Sequence, residues 1–232
     1  MPVRQLPENV VNRIAAGEVI ERPASVVKEL GENAIDAGAT RIEIVISGGG
    51  RELIRVSDNG AGMNAEDLAL SVERHATSKL DSEDLLNIST LGFRGEALPS
   101  IGAAARLSIA TRARGSDTAL EVRVEGGEKS EIRPVALAEG TRVEVRDLFY
   151  ATPARLKFLK SEQAETAAVI DVIRRLALAR PDVAFTIAAG ERVIQYPLRG
   201  TDEEGRAARL ADVIGGDARA NTIPVVASRD GG

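Results

Sequence analysis

Hydrophobic and polar residues alternate in several short stretches, as expected for strands that bury one face. These stretches are residues 41–47, 52–57, 106–111, 119–125, 142–147, 184–188 and 192–196. The triplet Gly48-Gly49-Gly50 separates the first two, which is a short enough connection for a hairpin. The pattern therefore predicts a sheet whose neighbouring strands are often antiparallel.

Apolar residues recur at helical spacing in five other segments, residues 10–16, 23–37, 65–73, 162–179 and 203–214. The second of these opens with Pro23 and is closed by Gly38, which are favoured at a helix start and just beyond a helix end. A further helix is expected to begin near Leu98. The boundaries of the second helix are thus well marked.

Hairpin-linked strands interspersed with helices favour an α/β chain of the α+β type, a two-layer sandwich. We expect a mixed, largely antiparallel sheet with helices on one face. Residues 1–200 are expected to form one domain. Residues 201–232, with one helical pattern and one predicted strand at residues 222–227, are interpreted as the truncated start of a second domain.

Composition narrows the class of protein. The 232 residues are 44% hydrophobic and 28% charged, which is typical of a globular chain. The chain has no continuous apolar run of membrane-spanning length, and residues 1–11 lack a signal-peptide core, so we expect neither insertion nor export. The absence of cysteine excludes disulfides, zinc-thiolate sites and thiol nucleophiles.

The formal net charge of -5 argues weakly against a surface devoted to nucleic acid. Residues 112–114, and Arg174 with Arg175, form local basic clusters that could bind phosphate. Such clusters are more often solvated faces. The charge therefore leaves DNA binding open.

The helix at residues 23–37 carries a polar stripe, because Glu29, Glu32, Asn33 and Asp36 share one face. A polar stripe is most often a solvated surface. An asparagine oxygen can also bind Mg²⁺ while a nearby carboxylate orients water, as phosphoanhydride hydrolysis requires. This stripe is a candidate catalytic face.

Asp58-Asn59-Gly60-Ala61-Gly62-Met63 directly follows a predicted strand. The segment can be read as a glycine turn, but a carboxylate there can also accept a hydrogen bond from the adenine amine. Glycines would let a flat base approach the main chain. Thr141 opens a later strand, where its hydroxyl could complete such a pocket.

Two further segments are candidates for phosphate binding, Thr77-Ser78-Lys79 and Gly92-Phe93-Arg94-Gly95-Glu96-Ala97-Leu98. Glycines before a helix can present main-chain N–H groups to phosphate. No P-loop motif is present.

In this order and spacing, these elements resemble the GHKL superfamily of gyrase, the ATP-driven stress chaperone, histidine kinases and MutL. Residues 13–23, 36–40, 92–98 and 147–155 resemble MutL-type DNA mismatch repair proteins in particular. The resemblance covers about residues 4–200. It implies the ATP-binding fold of that superfamily.

The resemblance implies that Glu29 is the general base and that Asn33 is the protein ligand of Mg²⁺. It also implies that Asp58 holds adenine. Other expected nucleotide contacts are Gly60, Gly62, Met63, Thr77, Ser78, Lys79, Gly92, Phe93, Arg94, Gly95, Glu96, Ala97, Leu98 and Thr141.

The implied function is slow, magnesium-dependent ATP hydrolysis that works as a switch. In the family, residues corresponding to about 75–98 form a lid over ATP, and the N-terminal arm crosses to the other subunit of an ATP-bound homodimer. Further partners implied are a MutS-like mismatch-recognition protein and DNA, with no membrane, in the bacterial cytoplasm.

Two other functions remain open. One is a scaffold that no longer depends on nucleotide, and the other is a kinase or topoisomerase subunit of the same superfamily. A histidine kinase needs a phosphoacceptor histidine on a helix ahead of the ATP site. The one histidine, His75, falls inside the expected lid and is interpreted as a loop residue.

Two departures from the family pattern predict weakened hydrolysis. Position 31 is glycine where the family has a bulky aliphatic residue, so we expect a void beside the catalytic helix that a valine would fill. The family also supplies a lysine to the terminal phosphate from the following domain, most of which lies beyond residue 232.

Overall fold

The computed structural model describes residues 16–17, 19–74, 76, 95–217 and 222. Its strands are β1 (Arg41–Ser47), β2 (Leu53–Asp58), β3 (Arg106–Arg112), β4 (Ala119–Glu125), β5 (Glu128–Lys129), β6 (Arg133–Val135), β7 (Gly140–Arg146), β8 (Ala184–Ala189) and β9 (Arg192–Tyr196). Its α-helices are α1 (Pro23–Asp36), α2 (Ala65–Ser71), α3 (Ala97–Ala104), α4 (Glu162–Ala179) and α5 (Glu203–Ile214). Short 3₁₀ helices occupy Gly48–Gly50 and Pro153–Phe158.

The strands of the described residues form one sheet in the order β5-β4-β3-β7-β2-β1-β8-β9, with β6 also paired to β4. All neighbouring strands are antiparallel except β1 and β8, which are parallel. The prediction of a mixed, largely antiparallel sheet is therefore confirmed, as is the hairpin of β1 and β2.

The predicted strands and helices between residues 23 and 214 are confirmed with small shifts at their ends. The sequence pattern missed β5, β6 and the 3₁₀ helix Pro153–Phe158, which are too short to show a period. Apart from Ala16 and Thr222, the predicted helix 10–16 and strand 222–227 lie outside the described residues.

Helices cover one face of the sheet, and the core lies between the two layers. On β1 the inward residues Ile42, Ile44 and Ile46 are buried, and the residues between them are more exposed. Helix α1 buries Val26, Val27 and Leu30 among other residues in the same core. The alternation along each strand therefore decides which face the helices cover.

Helices α1 and α4 approach each other closely at Gly31. Gly31 is buried, and a Cβ atom placed on it would lie 2.8 Å from Cδ1 of Leu176 in α4. The expected void beside Gly31 is therefore wrong, because the leucine side chain occupies that space. Glycine allows the two helices to pack at this distance.

Helix α5 packs on α4 and β9 and is anchored by the buried side chain of Arg209. The Arg209 guanidinium donates hydrogen bonds to the carbonyl oxygens of Ala177 at 2.6 Å, Val183 at 2.9 Å and Pro197 at 2.6 Å. Assignment of residues 201–232 to a second domain stays a prediction. Among the described helices, none is both long and apolar enough to cross a membrane.

Candidate nucleotide-binding site

Asp58 ends strand β2 on the helix-covered face of the sheet, since it follows the inward residues Ile54 and Val56. Its Oδ1 accepts a hydrogen bond from the main-chain N–H of Gly60 at 2.8 Å, and its carboxylate also accepts one from the main-chain N–H of Thr141. Burial raises the pKa of Asp58 to about 6, although both hydrogen bonds act in the opposite direction.

The loop after Asp58 is fixed to the C-terminal end of α1. The side-chain oxygen of Asn59 accepts from the main-chain N–H of Thr40 at 2.9 Å and of Arg41 at 2.8 Å. The N–H of Ala61 donates to the carbonyl oxygen of Ala37 at 2.9 Å. These bonds place the predicted base pocket beside the helix that carries Glu29 and Asn33.

Gly60 and Gly62 are required by contacts within the protein. A Cβ on Gly60 would lie 2.8 Å from the carbonyl oxygen of Ala37. Gly62 has a φ of 67°, and a Cβ there would overlap the carbonyl of Arg112. The packing of the loop therefore requires both glycines, because their side-chain positions face the main chain, and their role beside a base stays a prediction.

A threonine that the sequence motifs did not mark lies beneath this loop. Thr111 is fully buried, and its Oγ1 accepts from the main-chain N–H of Met63 at 2.9 Å. The same oxygen lies 3.0 Å from Oγ1 of Thr141. Only the register that sets Thr111 opposite Thr141 in β3 and β7 could have indicated this contact.

The polar stripe on α1 is partly accessible. The Glu29 side chain is 31% exposed, and its Oε1 lies 3.6 Å from Nζ of Lys28. Lys28 also bonds Oε2 of Glu32 at 2.8 Å, while Asn33 is half-buried. From Ala37, Asn33 is about 6 Å and Glu29 about 12 Å back along the helix axis.

Within the described part of the chain, no cluster of three or more His, Cys, Asp or Glu side chains could hold a metal ion. Among the described residues, a cation bound by Asn33 would therefore be completed by oxygens of water or of a phosphate. Mg²⁺ commonly keeps several waters and binds phosphate oxygens together with one or two protein ligands. The single amide is therefore compatible with a magnesium ion that arrives with a nucleotide.

The second half of the predicted phosphate segment leads into α3. Gly95 has a φ of 62° and packs against the main chain of Ala76. Glu96 forms an ion pair with Arg74 at 2.8 Å, and Ala97 begins the helix. Leu98 packs against the core. His75, Thr77, Ser78, Lys79, Gly92, Phe93 and Arg94 lie outside the described residues.

The region that contains the site matches a known protein family. Residues 20–149 match the model of the histidine kinase-, DNA gyrase B-, and HSP90-like ATPases. This range includes α1, the Asp58 loop, α3 and Thr141. The elements that form the candidate site are therefore those that the family model covers.

Individual proteins are similar over the whole chain. The DNA mismatch repair proteins MutL of Azorhizobium caulinodans and Bradyrhizobium diazoefficiens are each 66% identical over 232 residues, all of this chain but 37% and 38% of theirs. The Aquifex aeolicus MutL ATPase domain complexed with ADP superposes with a TM-score of 0.70 at 34% identity, covering 84% of this chain and 70% of that domain.

Proposed function

The chain belongs to the histidine kinase-, DNA gyrase B- and HSP90-like ATPases and, among them, to the MutL ATPase domains, and from this we propose that it binds and slowly hydrolyses ATP in DNA mismatch repair. The observation that carries the proposal is the position of Asp58. Its half-buried carboxylate opens a loop that is hydrogen-bonded to the C-terminal end of α1.

We propose that Asp58 accepts a hydrogen bond from the exocyclic amine of adenine. The ionised carboxylate is only an acceptor, so it favours adenine, which offers an amine, over guanine, which offers a carbonyl at the same ring position. Gly60, Gly62, Met63 and Thr141 would line the same pocket. Thr111 would hold Met63 and Thr141 in position through the hydrogen bonds described above.

The order of residues along α1 supports a direction for the bound nucleotide. With the base beside Ala37, the phosphates would run toward the N-terminal end of the helix, past Asn33 and then Glu29. Asn33 would contribute its amide oxygen to Mg²⁺, which neutralises phosphate charge when bound. Glu29 would accept a proton from the attacking water, and its 31% exposure leaves it open to solvent.

Phosphate contacts are proposed for two segments. The first turn of a helix has main-chain N–H groups that no carbonyl of the same helix can accept from, and α3 begins at Ala97, so its N-terminal end suits an anion. Gly92, Phe93 and Arg94 would extend this contact, and Thr77, Ser78 and Lys79 would add hydroxyl and ammonium donors. Residues 75–98 would together form the lid over ATP.

At the level of the whole protein, we propose an ATP-dependent homodimer that works with a MutS-like protein and with DNA in the bacterial cytoplasm. ATP would order the lid and the N-terminal arm, and both would then stabilise the dimer. The similarity to MutL proteins over all 232 residues supports this assignment. The start of a second domain after residue 200 would lead toward the family's phosphate-binding lysine.

The roles of Glu29 and Asn33 are tested by measuring ATP affinity and single-turnover hydrolysis in a chain that continues into the following domain. Glu29→Ala should keep its ATP affinity and hydrolyse about 10² to 10⁴ times more slowly, since it lacks the general base. Asn33→Ala should instead weaken magnesium-dependent binding.

Glu32→Ala is the matched control, because Glu32 is on the same helix and also bonds Lys28. It should hydrolyse ATP close to the wild-type rate. Wild-type turnover in Glu29→Ala, or an equal loss in Glu32→Ala, would refute the role given to Glu29.

A further inference from the structure

The face of the sheet that carries no helices is rich in arginine. Outward positions on β2, β3, β4 and β7 alternate with the core residues Val56, Ile109, Val122 and Val143. On β6, Arg133 lies directly opposite Glu121 and so shares its face. The arginine face consists of seven outward side chains, Arg55, Arg106, Arg112, Arg123, Arg133, Arg142 and Arg146.

Two glutamates lie among these arginines, and each is shared by two of them. Glu121 bonds Arg123 at 3.1 Å and Arg133 at 2.6 Å. Glu144 bonds Arg146 at 2.9 Å and lies 3.9 Å from Arg55. Each group of one acid and two arginines therefore carries a net positive charge.

Arg112 and Arg142 have no carboxylate partner among the described residues. The Nε atom of Arg112 is buried without a hydrogen-bond partner there. Two further acids, Glu125 and Asp147, both form ion pairs with Arg106. The arginine face is thus locally basic in a chain whose formal net charge is -5.

The face also has a shape that can receive a ligand. A groove of about 420 Å³ runs over it, and its charged lining consists of four arginines and three glutamates, Arg106, Arg123, Arg142, Arg146, Glu121, Glu125 and Glu144. The outward positions of β2, β3, β4 and β7 hold no aromatic side chain on which an unpaired base could stack. The chemistry therefore favours phosphates over exposed bases.

We propose that the arginine face binds the phosphate backbone of double-stranded DNA. The planar guanidinium fork matches phosphate oxygens, and a row of arginines across neighbouring strands can follow a duplex without reading its sequence. The choice of DNA as the polyanion rests on the proposed function in DNA repair. The surface itself lies on the opposite side of the sheet from Asp58 and α1.

Binding of a fluorescent DNA duplex to the 232-residue chain, followed by anisotropy over a salt series, tests the inference. In Arg112→Gln/Arg142→Gln the affinity at low salt should fall at least about tenfold. The slope of log K against log salt should shrink by about 1.8, since each lost phosphate contact accounts for about 0.9.

The matched control is Arg174→Gln/Arg206→Gln, which removes the same charge from exposed positions on α4 and α5. It should leave the slope unchanged. Affinity for an ATP analogue, measured in the same samples, should be equal in all variants. If the arginine variant loses DNA binding but keeps its affinity for the ATP analogue, the two sites are independent. If the wild-type chain binds no nucleotide, the same comparison of DNA affinities still tests the arginine face.

A variant that is expected to bind DNA more tightly excludes misfolding as the cause of any lost binding. Glu144→Gln removes an acid from the middle of the arginine face and should strengthen DNA binding severalfold, which an unfolded chain would not do. Equal slopes in wild type and Arg112→Gln/Arg142→Gln would overturn the proposal, as would an equal loss in the control pair. Unchanged DNA affinity in Arg112→Gln/Arg142→Gln would also overturn it, and an acidic protein would then be the partner to test on this face.

Discussion

Asp58 combines two properties at the scale of a single residue. It is an acceptor placed at the exit of β2, and its burial raises its pKa to about 6. A raised pKa means that the neutral carboxyl is favoured in the folded chain at mildly acidic pH. Only the ionised form offers both oxygens as acceptors to an adenine amine. Base recognition should therefore depend on pH.

We predict that ATP affinity decreases as the pH falls through about 6, the pKa of Asp58. At pH 5 only about a tenth of Asp58 would be ionised, so the apparent affinity should be lower than at pH 7.5 by up to about tenfold. Titration calorimetry over a pH series measures this. Because phosphate groups also ionise with a pKa near 6, the same series in Asp58→Asn provides the control.

Asp58→Asn should bind ATP more weakly at neutral pH and should keep only the pH dependence that comes from the phosphates. If wild type and Asp58→Asn showed the same pH profile, Asp58 would not contact the base. An unchanged preference for ATP over GTP in the variant would lead to the same conclusion.

At the scale of elements, the contact between α1 and α4 determines what position 31 can hold. A Cβ there would lie 2.8 Å from Cδ1 of Leu176, which must then move. The two extra methyl groups of valine require a larger shift. We predict that Gly31→Val destabilises the fold by about 1 to 3 kcal/mol, the usual cost of overpacking.

Urea unfolding of Gly31→Val, Leu176→Ala and the double variant measures this coupling. Leu176→Ala alone should cost about 2 to 5 kcal/mol as a core truncation. In the double variant valine would enter the space left by leucine, so its loss should be smaller than the sum of the two single losses. Stabilisation by Gly31→Val alone would show that the helices have room for it.

The contact of Gly31 with Leu176 is one that the sequence pattern could not predict. Periodicity predicted α1, α4 and most strands because each has enough residues to repeat its pattern. The motif around Asp58 also lies within one short stretch of the chain, so it could indicate the candidate pocket. Leu176 is far from Gly31 in sequence, and Thr111 meets Thr141 only through strand pairing, so no local pattern could predict either contact.

At the scale of the molecule, one sheet separates two chemically different sides. The helix-covered side holds Asp58, Thr141 and α1, which we propose bind a nucleotide with its metal. The other side presents the arginine face. The net charge of -5 does not indicate this separation, because a net charge does not show where the charged residues lie.

We propose that a nucleotide bound on the helix-covered side of the sheet controls dimerisation of the chain. Size-exclusion chromatography with light scattering, with and without Mg²⁺ and a nonhydrolysable ATP analogue, measures this control. We predict a monomer without nucleotide, a dimer with the ATP analogue, and a monomer with the corresponding GTP analogue. The mass of one chain at saturating ATP analogue, identical to that of the nucleotide-free sample, would contradict the claim.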